Sequence, residues 1–192
     1  MGKTYGVKAT DQEWAERCAA WRAVHPRIVQ SWKDIQNAAI NAVRQPGHAF
    51  SAGYTDRQAT FKMVGSFLWL KLPSQRTICF PYPKILEGDF GPMLTYMCQP
   101  AQGDEKKGKV IDDPQNSARW VRTSTYGGAL LNRIVQGTCR DFLADCMLAL
   151  DEKGADIVLH THDSITLEVA TVNAEGARKG MQEFMCTLPP WA

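Results

Sequence analysis

The stretch Ile157–Val169 sets a polar group, His160, His162, Asp163 and Ser164, at the apex of two apolar, β-branched runs. An aspartate held on a rigid turn can ligate magnesium, a hard cation that prefers carboxylate oxygens, near the end of a bound polyphosphate. The same side chain can instead be spent on capping its own turn. His160 and His162, spaced H-x-H as at the start of a zinc site, open another alternative. Elsewhere only His25 and His48 remain, in segments that read as structural or loop-like, so that reading is short of ligands. A further constellation lies upstream. Asn132 and Gln136 are four residues apart, on one face of a helical pattern, with Arg133 and Arg140 nearby. Amides so placed can meet the minor-groove acceptors that every base pair presents, or they can be an ordinary polar pair on a wet surface.

These groups need elements to carry them. Residues 124–150 read as one long helix, with Leu130, Ile134, Gly137 or Thr138, Asp141 or Phe142 and Asp145 marking its turns and Gly154 closing it. Asp156–His160 and Ile165–Ala170 read as two strands joined by a tight turn over Thr161–Ser164, and Ala174–Cys186 as a final amphipathic helix. Toward the N-terminus, Thr10 and Glu13 form a capping box, so a helix begins near Asp11, with Trp14, Cys18 and Trp21 at helical spacing. His25-Pro26 interrupts it. A second helix follows, with Ile28, Trp32, Ile35, Ala39 and Val43 on its apolar face and Gln45-Pro46-Gly47 at its end. Thr60–Val64, Phe67–Leu72 and Thr77–Pro81 predict a small β-meander, Leu94–Met97 a further short strand, and the polar run over 102–117 a solvated loop.

The chain has 192 residues, 44% of them hydrophobic, which allows a real core but only one domain, or one domain and an appendage. A net charge of +2 is too small to make the whole surface a polyanion site, so contact with nucleic acid must come from local patches. Six cysteines lie far apart without any C-x-x-C pair, which gives no zinc ribbon and reads as reduced thiols. No apolar run approaches the roughly 20 residues that span a bilayer, and no signal-peptide pattern opens the chain. The expectation is a soluble protein without a membrane partner.

Thr125-Tyr-Gly-Gly-Ala-Leu-Leu-Asn-Arg-Ile-Val-Gln-Gly-Thr-Cys-Arg-Asp141, followed by Ile157–Val169, resembles the palm of phage-type family A DNA polymerases, where a helix precedes a hairpin tipped by His-Asp-Glu, called motif C. Tyr5-Gly-Val7, Trp21-Arg-Ala-Val-His-Pro26, Leu72-Pro-Ser-Gln-Arg76 and Leu94-Thr-Tyr-Met97 are similar to the fingers-to-palm connection of the same enzymes, so the resemblance covers almost the whole chain. It implies an α+β fold: a partial palm over 51–192, an antiparallel hairpin packed on a long helix, preceded by a helical, fingers-derived segment over 1–50.

The resemblance also implies roles. Asp163 corresponds to the aspartate that binds catalytic magnesium, and His162 to the residue that approaches the primer end. Asn132 and Gln136 correspond to minor-groove contacts, with Arg133, Arg140 and His162 completing the implied DNA-binding set. Ser164 departs from the usual glutamate and removes a negative charge beside the metals. Gln75 stands where glycine is common in the turn before Arg76. The motif A aspartate, the nucleotide-binding fingers helix and the thumb find no counterpart in this sequence. The implied assembly is a split enzyme in which a larger subunit brings those parts, with primer-template DNA and deoxynucleoside triphosphate as substrates. The setting it implies is phage-encoded, in the bacterial cytoplasm. A homo-oligomer, or a non-catalytic DNA- or protein-binding relic, is the competing expectation.

Overall fold

The computed structural model describes residues 9–53, 57–88, 91–99 and 120–192. It is an α+β chain of four helices, α1 (Asp11–Val24), α2 (Pro26–Arg44), α3 (Gly127–Glu152) and α4 (Ala174–Cys186), and nine strands among these residues. Strands β1 (Ala49–Ala52), β2 (Ala59–Val64), β3 (Phe67–Lys71) and β4 (Thr77–Pro81) form an antiparallel meander in chain order. A second sheet joins β5 (Lys84–Gly88), β6 (Gly91–Cys98) and β7 (Val121–Thr125), and β8 (Asp156–His160) pairs with β9 (Ile165–Glu168).

Helix α1 starts at the expected capping box: Thr10 Oγ1 accepts from the Glu13 backbone N–H at 3.2 Å, and the Glu13 carboxylate accepts from the Thr10 N–H at 2.7 Å. None of its residues is buried. Its apolar spacing is used by Trp21, which stacks on His25 and Trp32 with ring centroids 4.4 and 5.8 Å away. Helix α2, opened by Pro26, is the core helix. Ile35, Ala38, Ala39, Ile40 and Ala42 are buried on it, against Phe61, Leu68, Leu70 and Phe80 from the inner face of the meander. Burying each large apolar side chain in that layer contributes about 1.5–3 kcal/mol.

Helix α3 joins two cores. Leu130 on its first half belongs to the α2–meander core, whereas Leu143, Cys146 and Leu150 on its second half pack with Ile165 of β9, and with Ile157, Leu167, Met181 and Phe184 around them. The β8–β9 hairpin is therefore held on the long helix from below, with α4 closing the flank.

Several boundaries differ from those expected. Ser124 and Thr125, expected as the first residues of the long helix, belong instead to strand β7 (Val121–Thr125), which pairs with β6 from Leu94↔Thr125 to Cys98↔Val121. Helix α3 then begins at Gly127, whose N–H is satisfied by Gln36 Oε1 of α2 at 2.9 Å, a cap delivered by tertiary structure. The meander has a fourth strand, β1, only four residues long. The strand expected at Leu94–Met97 extends over Gly91–Cys98 and has a partner, β5. Strand β9 stops at Glu168, and a single 3-10 turn at Thr171–Asn173 leads into α4. The loop expected over 102–117 and the Tyr5–Val7 motif lie outside the described residues.

Candidate metal- and nucleic-acid-binding hairpin

The hairpin closes through Thr161, whose backbone N–H donates to Ser164 O at 2.9 Å, leaving His162 and Asp163 as the two residues at the apex. The tip is also tied by side chains. Thr161 Oγ1 lies 2.6 Å from Ser164 Oγ and donates to Asp163 Oδ1 at 3.3 Å. His162 Nε2 is 3.8 Å from Asp163 Oδ1, and these side chains are 92% and 76% exposed. Such a tip presents a carboxylate and an imidazole outward on a rigid two-stranded arm.

His160 ends β8, whereas His162 sits in the turn, so strand alternation does not put the two histidines on one side. Among the described residues no three His, Cys, Asp or Glu side chains gather into a metal-holding group, which leaves the zinc alternative without a ligand set. For magnesium the chemistry of Asp163 is suitable, an exposed carboxylate on a hydrogen-bonded turn, but one carboxylate is a single ligand and not a centre. By themselves the described residues do not make a two-metal site.

Asn132, Gln136 and Arg140 are exposed and recur every four residues along α3, a stripe about 12 Å long at 1.5 Å per residue. At its lower end Arg140 enters a groove of about 500 Å³ between α3 and β8, shared with Leu148, Asp151, Val158, Leu159 and His160. The groove is apolar and open: Leu148, Val158 and Leu159 are 62%, 52% and 59% exposed. Three of the expected DNA-binding residues thus share one stripe that ends against the strand leading to His162 and Asp163.

Arg133 lies off that stripe. Its guanidinium donates to the Tyr96 hydroxyl and sits over the Phe80 and Tyr96 rings, 5.5 and 5.4 Å from their centroids. Burial pushes the Tyr96 phenol up from its ordinary value, with the Arg133 charge opposing.

Sequence spacing alone did not reveal a cluster beneath the stripe. Asp141 receives hydrogen bonds from Arg76 Nε and Ser74 Oγ, while Arg76 Nη2 donates to the Gly137 carbonyl at 3.0 Å. The turn carrying Ser74 and Arg76 is thereby fastened to the middle of α3. Gln75 at its corner has φ 71°, the left-handed region glycine favours, which explains why glycine suits that position. The signal was present in part, since Leu72–Arg76 stood out as a motif while Asp141 read only as a helical turn.

An α+β chain that braces an acid-tipped hairpin on a long helix has the build of a partial polymerase palm. In sequence the chain is similar to the DNA polymerase of Bacillus phage SP02, 35% identical over 159 residues, which make up 82% of this chain and 22% of that protein. The chain is thus related to a segment of a phage DNA polymerase and spans less than a quarter of that relative's length. No protein-family profile matches it. No solved structure matches it either.

Proposed function

We propose that this chain contributes the motif C half of a family A DNA polymerase active site and acts with a larger polymerase subunit that carries motif A, the nucleotide-binding fingers helix and the thumb. The observation that carries the reading is the Asn132–Gln136–Arg140 stripe, which runs along α3 to the strand bearing His162 and Asp163, in a chain similar to a phage DNA polymerase. In this reading Asn132 and Gln136 lie along the minor groove of primer-template DNA, Arg140 neutralises phosphate, His162 faces the primer end and Asp163 is a magnesium ligand. Asp163, together with carboxylates of the larger subunit, would hold magnesium, which would supply stabilisation of the charge on the phosphoryl oxygens as the primer 3′-hydroxyl attacks the α-phosphorus of a deoxynucleoside triphosphate and pyrophosphate leaves.

The need for a partner is supported by two features: the carboxylate at the tip, which among the described residues belongs to no metal-holding group, and the exposed apolar strand β8, a surface that ordinarily stays covered. A second reading, a polymerase-derived DNA- or protein-binding factor without catalysis, is favoured by Ser164. Where the family has a carboxylate, this hydroxyl is spent on Thr161.

The test is primer extension by the chain together with the polymerase subunit that co-purifies with it. Asp163→Asn is expected to abolish extension while assembly persists. Undiminished extension by that variant, or the absence of any polymerase partner, would move the assignment to the non-catalytic factor.

A further inference from the structure

The meander has a second face that the hairpin reading leaves unused. Strand alternation sends Phe61, Leu68, Leu70 and Phe80 inward to α2, and the residues between them outward. The register sets Lys62 opposite Trp69, Val64 opposite Phe67 and Thr60 opposite Lys71. Lys62 and Lys71 are exposed, and Phe67 and Trp69 are partly exposed. None of the four strands contains an aspartate or glutamate.

Tyr82 extends this row. Its ring is 5.6 Å from that of Phe67, which in turn is 6.3 Å from that of Trp69. Tyr82 is 53% exposed and has φ 47°, an uncommon and costly conformation for a bulky residue. It is over-determined by its surroundings: the Tyr82 N–H donates to Ser66 O at 2.9 Å, and buried Arg122 donates to the Tyr82 carbonyl at 3.0 Å. The same arginine reaches Thr95 Oγ1 at 3.3 Å, so the aromatic is anchored through the second sheet.

We infer that the outer face of the β1–β4 meander, with Phe67, Trp69 and Tyr82 as stacking surfaces and Lys62 and Lys71 as phosphate contacts, binds single-stranded DNA. Unpaired bases offer flat faces to aromatic rings, whereas a duplex keeps them inside its stack. The lysines supply charge of the sign a phosphate backbone requires, and no carboxylate on the strands opposes it. This site is independent of Asp163 and of catalysis.

The experiment is fluorescence anisotropy of labelled oligothymidylate titrated with the full chain. Trp69→Leu and Tyr82→Gly are each expected to weaken binding about tenfold, the loss typical of one stacked base. The double variant K62E/K71E should weaken it further and flatten its salt dependence. The titration needs neither the larger subunit nor magnesium, so failure of the catalytic reading and failure of this one are distinguishable. Tyr82→Gly guards against loss of fold, because glycine accepts the backbone conformation found there. The inference is overturned if the wild-type chain does not bind the oligonucleotide, or if variants with unchanged melting bind it fully. It is also overturned if the substitutions change self-association and leave DNA affinity untouched.

Discussion

Arg76 reaches across from the end of the β3–β4 turn and pairs with Asp141 in the middle of α3, with Ser74 occupying the second carboxylate oxygen. The pair couples the meander to the helix that carries both the amide stripe and the hairpin. Asp141 is only 12% exposed on its side chain, so removing it would leave Arg76 and Ser74 without their acceptor in a half-buried setting. Asp141→Ala is expected to lower stability by about 2 kcal/mol. Arg76→Lys should lose nearly as much as Arg76→Ala, because an ammonium cannot serve the carboxylate and the Gly137 carbonyl with the arginine's fixed fork. Urea denaturation checks both, and a midpoint unchanged by Asp141→Ala would remove the pair's structural role.

At Gly127, α3 packs directly against the backbone of α2. A Cβ placed there would lie 1.9 Å from the Trp32 carbonyl oxygen, and backbone cannot yield as a side-chain tip can. Gly127→Ala should therefore destabilise the chain by about 2–4 kcal/mol in spite of alanine's better helix propensity. The neighbouring substitution Gly128→Ala meets the Tyr126 ring at 3.0 Å, which can swing away, and the Trp32 ring at an ordinary contact of 3.7 Å. Thermal melts of the pair should differ clearly; equal melting would mean the helices separate without cost.

That close approach also separates what was legible in the sequence from what was not. Local chemistry was readable: the Thr10–Glu13 box, Pro26 opening α2, the hairpin around His162 and Asp163, and α4 all lie where pattern and capping put them. Long-range chemistry was not. The start of α3 depends on Gln36, far away in the chain, and on β6 pairing with Val121–Thr125, where the alternate β-branched residues Val121, Thr123 and Thr125 were a strand signal that went unused. Strand β1 is only four residues long, too short to carry a pattern of its own, so its pairing with β2 defines it. For the site, the amide stripe followed from a four-residue spacing, whereas the engagement of Arg133 by Tyr96 and Phe80 needed the folded core.

At the N-terminal end, the Thr10 backbone N–H bond holds the Glu13 carboxyl below its ordinary value, with the Thr10 hydroxyl adding to the effect. A carboxylate with a lowered folded pKa contributes stability that is present above the unfolded pKa. It is lost as pH falls through the folded one. The first turn of α1 is therefore expected to fray on acidification below the usual glutamate range, while α2, whose start carries no such box, keeps its N-terminus. Amide hydrogen exchange of residues 11–14 against pH checks this, and Glu13→Gln should abolish the pH dependence while weakening the cap at neutral pH.

Thr161 is the residue that makes the hairpin tip a defined object, since its one hydroxyl touches both Ser164 and Asp163. In an exposed turn those bonds contribute little to global stability, within about 0.5 kcal/mol. Their effect should fall instead on where the Asp163 oxygens point. Phosphoryl transfer depends on ligand position, and a displacement on the order of 1 Å can cost up to about a hundredfold in rate. Thr161→Val keeps the β-branched shape and removes both contacts. If the proposed function holds, in complex with the larger polymerase subunit it should lower primer extension by about tenfold or more without moving the melting temperature, and raising magnesium should restore part of the loss. Thr161→Ser, which keeps the hydroxyl, should retain most activity. If valine and serine extend primers equally well, Asp163 is positioned by the strands alone and the side-chain lock on the tip is dispensable.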